Sequence, residues 1–203
     1  NIDILCGGFP CQSFSIVAQN PKRLGIKDER GMLFFEICRI LREKRPKCFI
    51  AENVKGLLSA NKGEAFPLIL DEFKKSGYNV SYKVLNAADY GVPQSRPRAI
   101  TIMYKKNKQW KWPRKQKEIT LKEAIGHLPS LESGEKSDIK YHNSRKHLDT
   151  HVLWMKHTPT GCSAHDNKEF YPVKKDGTKI KGFNATYKRM KWDAPAPALT
   201  MRN

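Results

Sequence analysis

Acidic residues are scarce in this chain. Twenty Asp plus Glu stand against 38 Lys plus Arg, a formal net charge of +18 over 203 residues. That shortage excludes a charge-balanced surface and points to a polyanionic partner, because each phosphate met by a lysine or arginine releases condensed counterions. A basic protein whose lysines are merely solvated has the same composition. Long apolar runs are missing too. No stretch approaches the roughly 20 apolar residues that cross a bilayer, and the opening residues do not read as a secretory signal. Cysteines are few and odd in number: Cys6, Cys11, Cys38, Cys48 and Cys162, with no close CxxC pair. This argues against a disulfide framework and for a reducing compartment. Internal repeats and low-complexity tracts are absent. So is an initiator methionine. The chain starts at Asn1 on the apolar run Ile2-Asp3-Ile4-Leu5 and stops at Thr200-Met201-Arg202-Asn203 with no closing element. Both ends are therefore expected to be cuts within something longer.

What is present suffices for one domain and part of another, with a hydrophobic fraction of 39% to supply a core. Ile2 to Leu5 reads as a short buried strand, broken by Gly7-Gly8-Phe9-Pro10. Residues 13–28 read as a long polar loop. Leu33, Phe34, Ile37, Cys38 and Leu41 recur at helical spacing, with Pro46 beyond the end. Lys47 to Ala51 is the next strand. A helix follows from Glu64 to Lys75, with Pro67 in its first turn and Gly77 as a stop. Val80 to Leu85 and Ala99 to Tyr104 are two further strands. Strands alternating with helices predict an α/β sheet, largely parallel, with its chemistry in the loops after the carboxyl ends of strands. After Tyr104 the character changes. Residues 105–117 read KKNKQWKWPRKQK, seven basic residues and two tryptophans without an acid. From there to Lys188 the chain is polar, basic and poorly periodic, with one short helix near Leu121 to Gly126. This stretch is expected to form a small, irregular second domain.

Three motifs carry candidate chemistry. In Gly8-Phe9-Pro10-Cys11-Gln12, Pro10 fixes the backbone before Cys11, and the glycines permit close approach of a ligand. A cysteine there is a nucleophile if its thiol, with an ordinary pKa of about 8.5, is helped to ionise; otherwise it is a buried, inert residue, as Cys38 and Cys48 are expected to be. Glu52-Asn53-Val54 follows the apolar run Cys48-Phe49-Ile50-Ala51. Partial burial would raise the pKa of a carboxylate so placed and let it share a proton near neutrality; a capping or salt-bridged glutamate is the plainer alternative. In Gln94-Ser95-Arg96-Pro97-Arg98, two arginines at i and i+2 of extended chain point the same way. They could reach a phosphate, a base oxygen or the Cys11 thiolate, or simply face solvent. The spacings are 41 residues from Cys11 to Glu52 and 42 from Glu52 to Gln94.

Taken together and in this order, the motifs resemble those of DNA cytosine-C5 methyltransferases of the bacterial restriction–modification type. ILCGGFPCQSFS, RGMLFFEICRILREKRPKCFIAENVKGLL and LNAADYGVPQSRPRAI are similar to the family's central motifs, and RMKWDAPAPALTM to the later motif after its target-recognition region. The likeness covers residues 1–104 and 186–203. It implies a Rossmann-like class I methyltransferase sheet, partial, followed by a small recognition domain: residues 1–104 catalytic, 105–188 target-recognition, and 189–203 a segment returning toward the catalytic domain. It also implies methyl transfer from S-adenosylmethionine to C5 of a cytosine flipped from duplex DNA, in the bacterial cytoplasm. Cys11 would add to C6, Glu52 would hold the N3 and N4 edge, and Asn53 would help fix that loop. Arg98 would contact the cytosine O2, Arg96 would support the catalytic loop and thiolate, and the loop from Ser13 to Arg30 would close over the base. Gly8, Pro10 and Leu33 would line the cofactor.

The family's FxGxG segment, its ribose-binding acid and its final segment are absent here. The chain is therefore expected to bind S-adenosylmethionine poorly alone, and a complementary chain could supply the remainder. Within the variable region, His157-Thr158-Pro159-Thr160-Gly161-Cys162-Ser163-Ala164 is the most loop-like part. Ser, Thr and Asn can read base edges there while Lys holds phosphates. His142, His147, His151, His157, Cys162 and His165 fit no standard zinc spacing, so no metal is expected. Two rivals remain: a tRNA cytosine methyltransferase of the same family, against which the GFPCQ form and the long recognition region argue, and a non-catalytic DNA-binding fragment or half of a split enzyme.

Overall fold

The computed structural model describes residues 2–10, 33–105, 108–180 and 187–199. Cys11 and the Ser13–Arg30 loop lie outside them, as do residues 200–203. The chain divides into two compact units, Asn1–Asn86 with Pro97–Lys115, and Ala87–Arg96 with Gln116–Asn203.

In the first unit the order is β1 (Ile4–Gly7), α1 (Phe34–Lys44), β2 (Cys48–Val54), a 3-10 stretch (Lys55–Gly63), α2 (Ala65–Lys75) and β3 (Asn79–Asn86). Across the unit boundary the two-residue β4 (Gln94–Ser95) precedes β5 (Pro97–Tyr104). The first unit's sheet has the order β1-β2-β5-β3. β1 and β2 are parallel, whereas β5 is antiparallel to both of its neighbours. The expected largely parallel sheet is thus corrected to a mixed one. The cause is legible: no helical period separates β3 from β5, and parallel pairing needs a crossover of a dozen or more residues.

Both helices pack on one face of this sheet. Phe34, Cys38 and Leu41 of α1 are buried, as are Ala65, Phe66, Ile69 and Phe73 of α2. They meet Phe49, Ala51 and Met103, and Phe73 makes edge-on contacts with Phe34 (6.4 Å) and Phe49 (6.2 Å). Gly77 at φ +90° ends the second helical segment in a conformation that favours glycine. Two details differ from expectation. β1 is no buried strand: it begins at Ile4, which is 62% exposed, because among the described residues it is the sheet's edge and pairs only with β2. Cys38 is fully buried, and desolvation pushes its thiol pKa up, but Cys48 is only half-buried.

The second unit pairs β4 in parallel with β6 (Ala196–Pro197). The short helix α3 (Leu121–Ile125) starts at a capping box in which Thr120 accepts from the Glu123 N–H and the Glu123 carboxylate accepts from Thr120. Those bonds, together with Lys117, hold the Glu123 carboxyl down to about 2, the lysine bond being the largest cause. A further helix, α4 (Asp149–Lys156), was not expected from the pattern. His151 and Trp154 of α4 pack around Tyr187, with ring centroids 5.3 and 5.4 Å away. Among the described residues no helix is long and apolar enough to cross a membrane, and no group of three or more His, Cys, Asp and Glu could hold a metal ion.

Candidate active site

Strand alternation sends neighbouring residues to opposite faces of a sheet. In β2 it sends Phe49, Ala51 and Asn53 into the helix-covered core and Ile50 and Glu52 to the other side, while Val54 at the strand's end packs against the core cluster. Asn53 is accordingly buried at 4% exposure. Its side-chain amide donates to the Phe9 carbonyl at 3.2 Å, and its Oδ1 accepts from the Val54 N–H at 2.9 Å. Both residues were expected to follow the strand. They lie inside it, because β5 continues the ladder to Val54 opposite Arg98.

Glu52 was expected to be partly buried. Its side chain is instead 51% exposed, and Oε1 lies 2.7 Å from Nε of Arg98. The antiparallel direction of β5 explains the encounter. The start of β5 lies beside the end of β2, so Arg98, opposite Val54, shares a face with Glu52 on the diagonal. Arg98 also donates from Nη1 to its neighbouring Pro97 carbonyl at 2.8 Å, which fixes the guanidinium.

The segment leading to Cys11 is anchored at this same edge in three ways. A Cβ on Gly8 would lie 2.6 Å from the Glu52 carbonyl oxygen, so only a glycine lets the two backbones approach this closely. The Phe9 carbonyl takes the Asn53 hydrogen bond. The Phe9 ring is buried at 6% exposure, with its centroid 6.0 Å from that of Phe34. Sequence reasoning gave Gly8 to a ligand and missed Phe9 as an anchor. The signal was there, in an aromatic residue flanked by Gly and Pro directly before the candidate nucleophile.

Gly8, Pro10, Glu52, Asn53 and Arg98 thus gather at the carboxyl edge of β1 and β2. Leu33 caps the start of α1 beside Phe34 and is 45% exposed. Arg96 is exposed and belongs to the second unit, where its carbonyl accepts from the Ala87 N–H. Cys11 follows the last described residue of its segment.

A family model for C-5 cytosine-specific DNA methylases matches residues 1–203. The chain belongs to this family. Among curated relatives, Type II methyltransferase M1.HgaI of Avibacterium volantium is 39% identical over 100% of this chain and 58% of its own length. M1.HphI of Haemophilus parahaemolyticus is 34% identical over 98% of this chain and 52% of its own length. The chain spans about half the length of such relatives. Among solved structures, a DNA modification methyltransferase encoded within an E. coli prophage superposes with a TM-score of 0.51 at 25% identity, covering 75% of this chain and 44% of that one. The fold is accordingly the class I methyltransferase α/β fold, with β5 as its antiparallel member.

Proposed function

We propose that the protein carrying this chain transfers a methyl group from S-adenosylmethionine to C5 of cytosine in duplex DNA, as the modification enzyme of a bacterial restriction–modification system. The observation that supports this most is the three-point anchoring of Gly8-Phe9-Pro10 beside the Glu52–Arg98 pair. It fixes the backbone that leads to Cys11 at the strand edge carrying the Glu52 carboxylate and the Arg98 guanidinium. Residues 1–104 carry the chemistry in this reading, and 105–188 recognise the target.

Cytosine C5 is a weak nucleophile. Addition of the Cys11 thiolate to C6 forms a carbon–sulfur bond and shifts the C5–C6 electron pair onto C5. Glu52, accessible and held by Arg98, faces the N3 and N4 edge and stabilises the added electron density; Arg98 also reaches the O2. Asn53 positions the cysteine segment through the Phe9 carbonyl, and Arg96 supports the thiolate loop. S-adenosylmethionine, when bound, supplies the electrophilic methyl group that C5 takes up. A base then removes the C5 proton, the C5–C6 double bond re-forms, and Cys11 is expelled. On this chain, Gly8, Pro10 and Leu33 would form the cofactor's wall. Gly8 and Leu33 are exposed and Pro10 is half-buried, so each can touch a ligand. The target base must leave the stack for any of this to occur.

The test offers duplex DNA and tRNA to the full-length gene product with labelled S-adenosylmethionine. Label should enter the duplex and not the tRNA. Label in tRNA alone would overturn the reading.

A further inference from the structure

The turn Pro159–Cys162 follows α4 in the second unit. Most hydrogen-bonding side chains around it are already engaged. The Thr158 hydroxyl, on a residue 3% exposed, donates to the Trp154 carbonyl at 2.7 Å. Ser163, 2% exposed, accepts from the His165 N–H, and Asp166 accepts from the Ser163 N–H. The buried Asn167 amide donates to the Trp154 carbonyl, the Thr158 hydroxyl and the Phe170 carbonyl, each at 3.2 Å. These residues hold the loop, their side chains being engaged within the protein.

The turn between them is clamped. The Cys162 N–H donates to the Pro159 carbonyl at 3.0 Å, and Gly161 adopts φ +84°. The Gly161 N–H donates to the Arg189 carbonyl at 2.8 Å, and the Arg189 N–H returns a bond to the Cys162 carbonyl at 3.0 Å. The Arg189 guanidinium donates to the Met155 carbonyl, and the Lys191 chain lies along Gly161, where a Cβ would come 2.8 Å from its Cε. Residues 156–163 and 187–191 contain four cations, Lys156, Lys188, Arg189 and Lys191, and no acid. At the tip, Thr160 is exposed, and its hydroxyl has no hydrogen-bond partner among the described residues.

An exposed side chain on a clamped turn, with cations on the two segments that form the clamp, suits base reading. Threonine brings a hydroxyl that both donates and accepts, and a methyl that fits against a thymine methyl. The neighbouring Cys162 thiol is a weaker hydrogen-bonding group. We propose that the Pro159–Cys162 turn is a base-reading finger and that Thr160 is its specificity-determining side chain. This rests on the DNA-methylating reading above and extends it to the recognition step.

The test selects duplexes from a random library by binding to the full-length gene product, and scores methylated cytosines in the same pool. The wild type should enrich one sequence. Thr160→Val keeps the shape without the hydroxyl, and should lower the preference at one base-pair position by about ten-fold or more. Thr160→Ser should restore it. Lys191→Gln should weaken binding to all sequences alike and make it less salt-dependent. A Thr160→Val profile identical to wild type at every position would overturn the proposal, as would a wild type that enriches no sequence. Enrichment without methylation would sink the catalytic reading alone and leave the finger standing.

Discussion

Glu52→Gln is expected to lower methyl transfer by about 10²–10⁴-fold, the range for removing a positioned proton-sharing or charge-stabilising group, while leaving the fold almost untouched. The two halves of that expectation come from different observations. The Glu52 side chain is half exposed, and its ion pair with Arg98 is open to solvent on the carboxylate side. Such pairs contribute about 0–1 kcal/mol, so thermal unfolding should barely move. For a glutamine of the same size the Arg98 contact weakens, but the backbone carbonyl that packs against Gly8 stays. A glutamate kept only to pair with Arg98 would behave in reverse, with a small stability loss and unchanged turnover. Measuring turnover and melting temperature on one preparation separates the two roles.

Gly8→Ala is expected to cost about a hundred-fold in turnover with only modest destabilisation. The new methyl would lie 2.6 Å from the Glu52 carbonyl oxygen and 3.6 Å from its carbon, and both belong to the backbone of a strand paired on each side. Neither can swing away as a side-chain tip would. The segment carrying Phe9 and Pro10 must therefore tilt, or β1 must part from β2. Overpacking of this kind costs about 1–3 kcal/mol, and a displacement of about 1 Å at a reacting group costs about a hundred-fold in rate. Gly7→Ala is the internal control. Its Cβ would come no nearer than 4.0 Å to the Phe49 ring, so turnover should stay close to wild type. Equal losses in both variants would remove the special role given to the Gly8–Glu52 approach.

Much of the first unit was written in local pattern. The helical spacing of Phe34, Cys38 and Leu41 is the face that α1 buries, and Pro67 and Gly77 bracket α2 as helix start and stop signals do. Strand direction was less accessible, since an apolar run such as Ala99–Tyr104 reads the same both ways. Yet direction is what brings Arg98 to Glu52: in a parallel β5 it would lie at the far end of β2. Asn53 illustrates a second limit. Its type and place were legible, but its partner, a carbonyl 44 residues earlier, depends on the register of β1 against β2. In the second unit, α4 escaped notice because it buries none of its residues within the described structure, and so no apolar stripe marks it. Its aromatic contacts with Tyr187 join segments more than 30 residues apart, beyond the reach of any local periodicity. The loop after α4 showed the same limit in reverse, since composition alone could not tell the engaged Thr158 from the exposed Thr160.

In the proposed reaction Cys11 forms a covalent bond to C6 of the target cytosine. Duplex DNA carrying 5-fluorocytosine in the target site tests it most directly, because fluorine at C5 cannot leave as a proton does, and the enzyme stays attached after methyl transfer. With S-adenosylmethionine present, the full-length gene product should yield a protein–DNA adduct that survives denaturation, its peptide linkage should map to Cys11, and Cys11→Ser should yield none. A wild type that methylates ordinary duplex DNA but leaves no adduct on the fluorinated one, or an adduct mapped to another cysteine, would contradict the account.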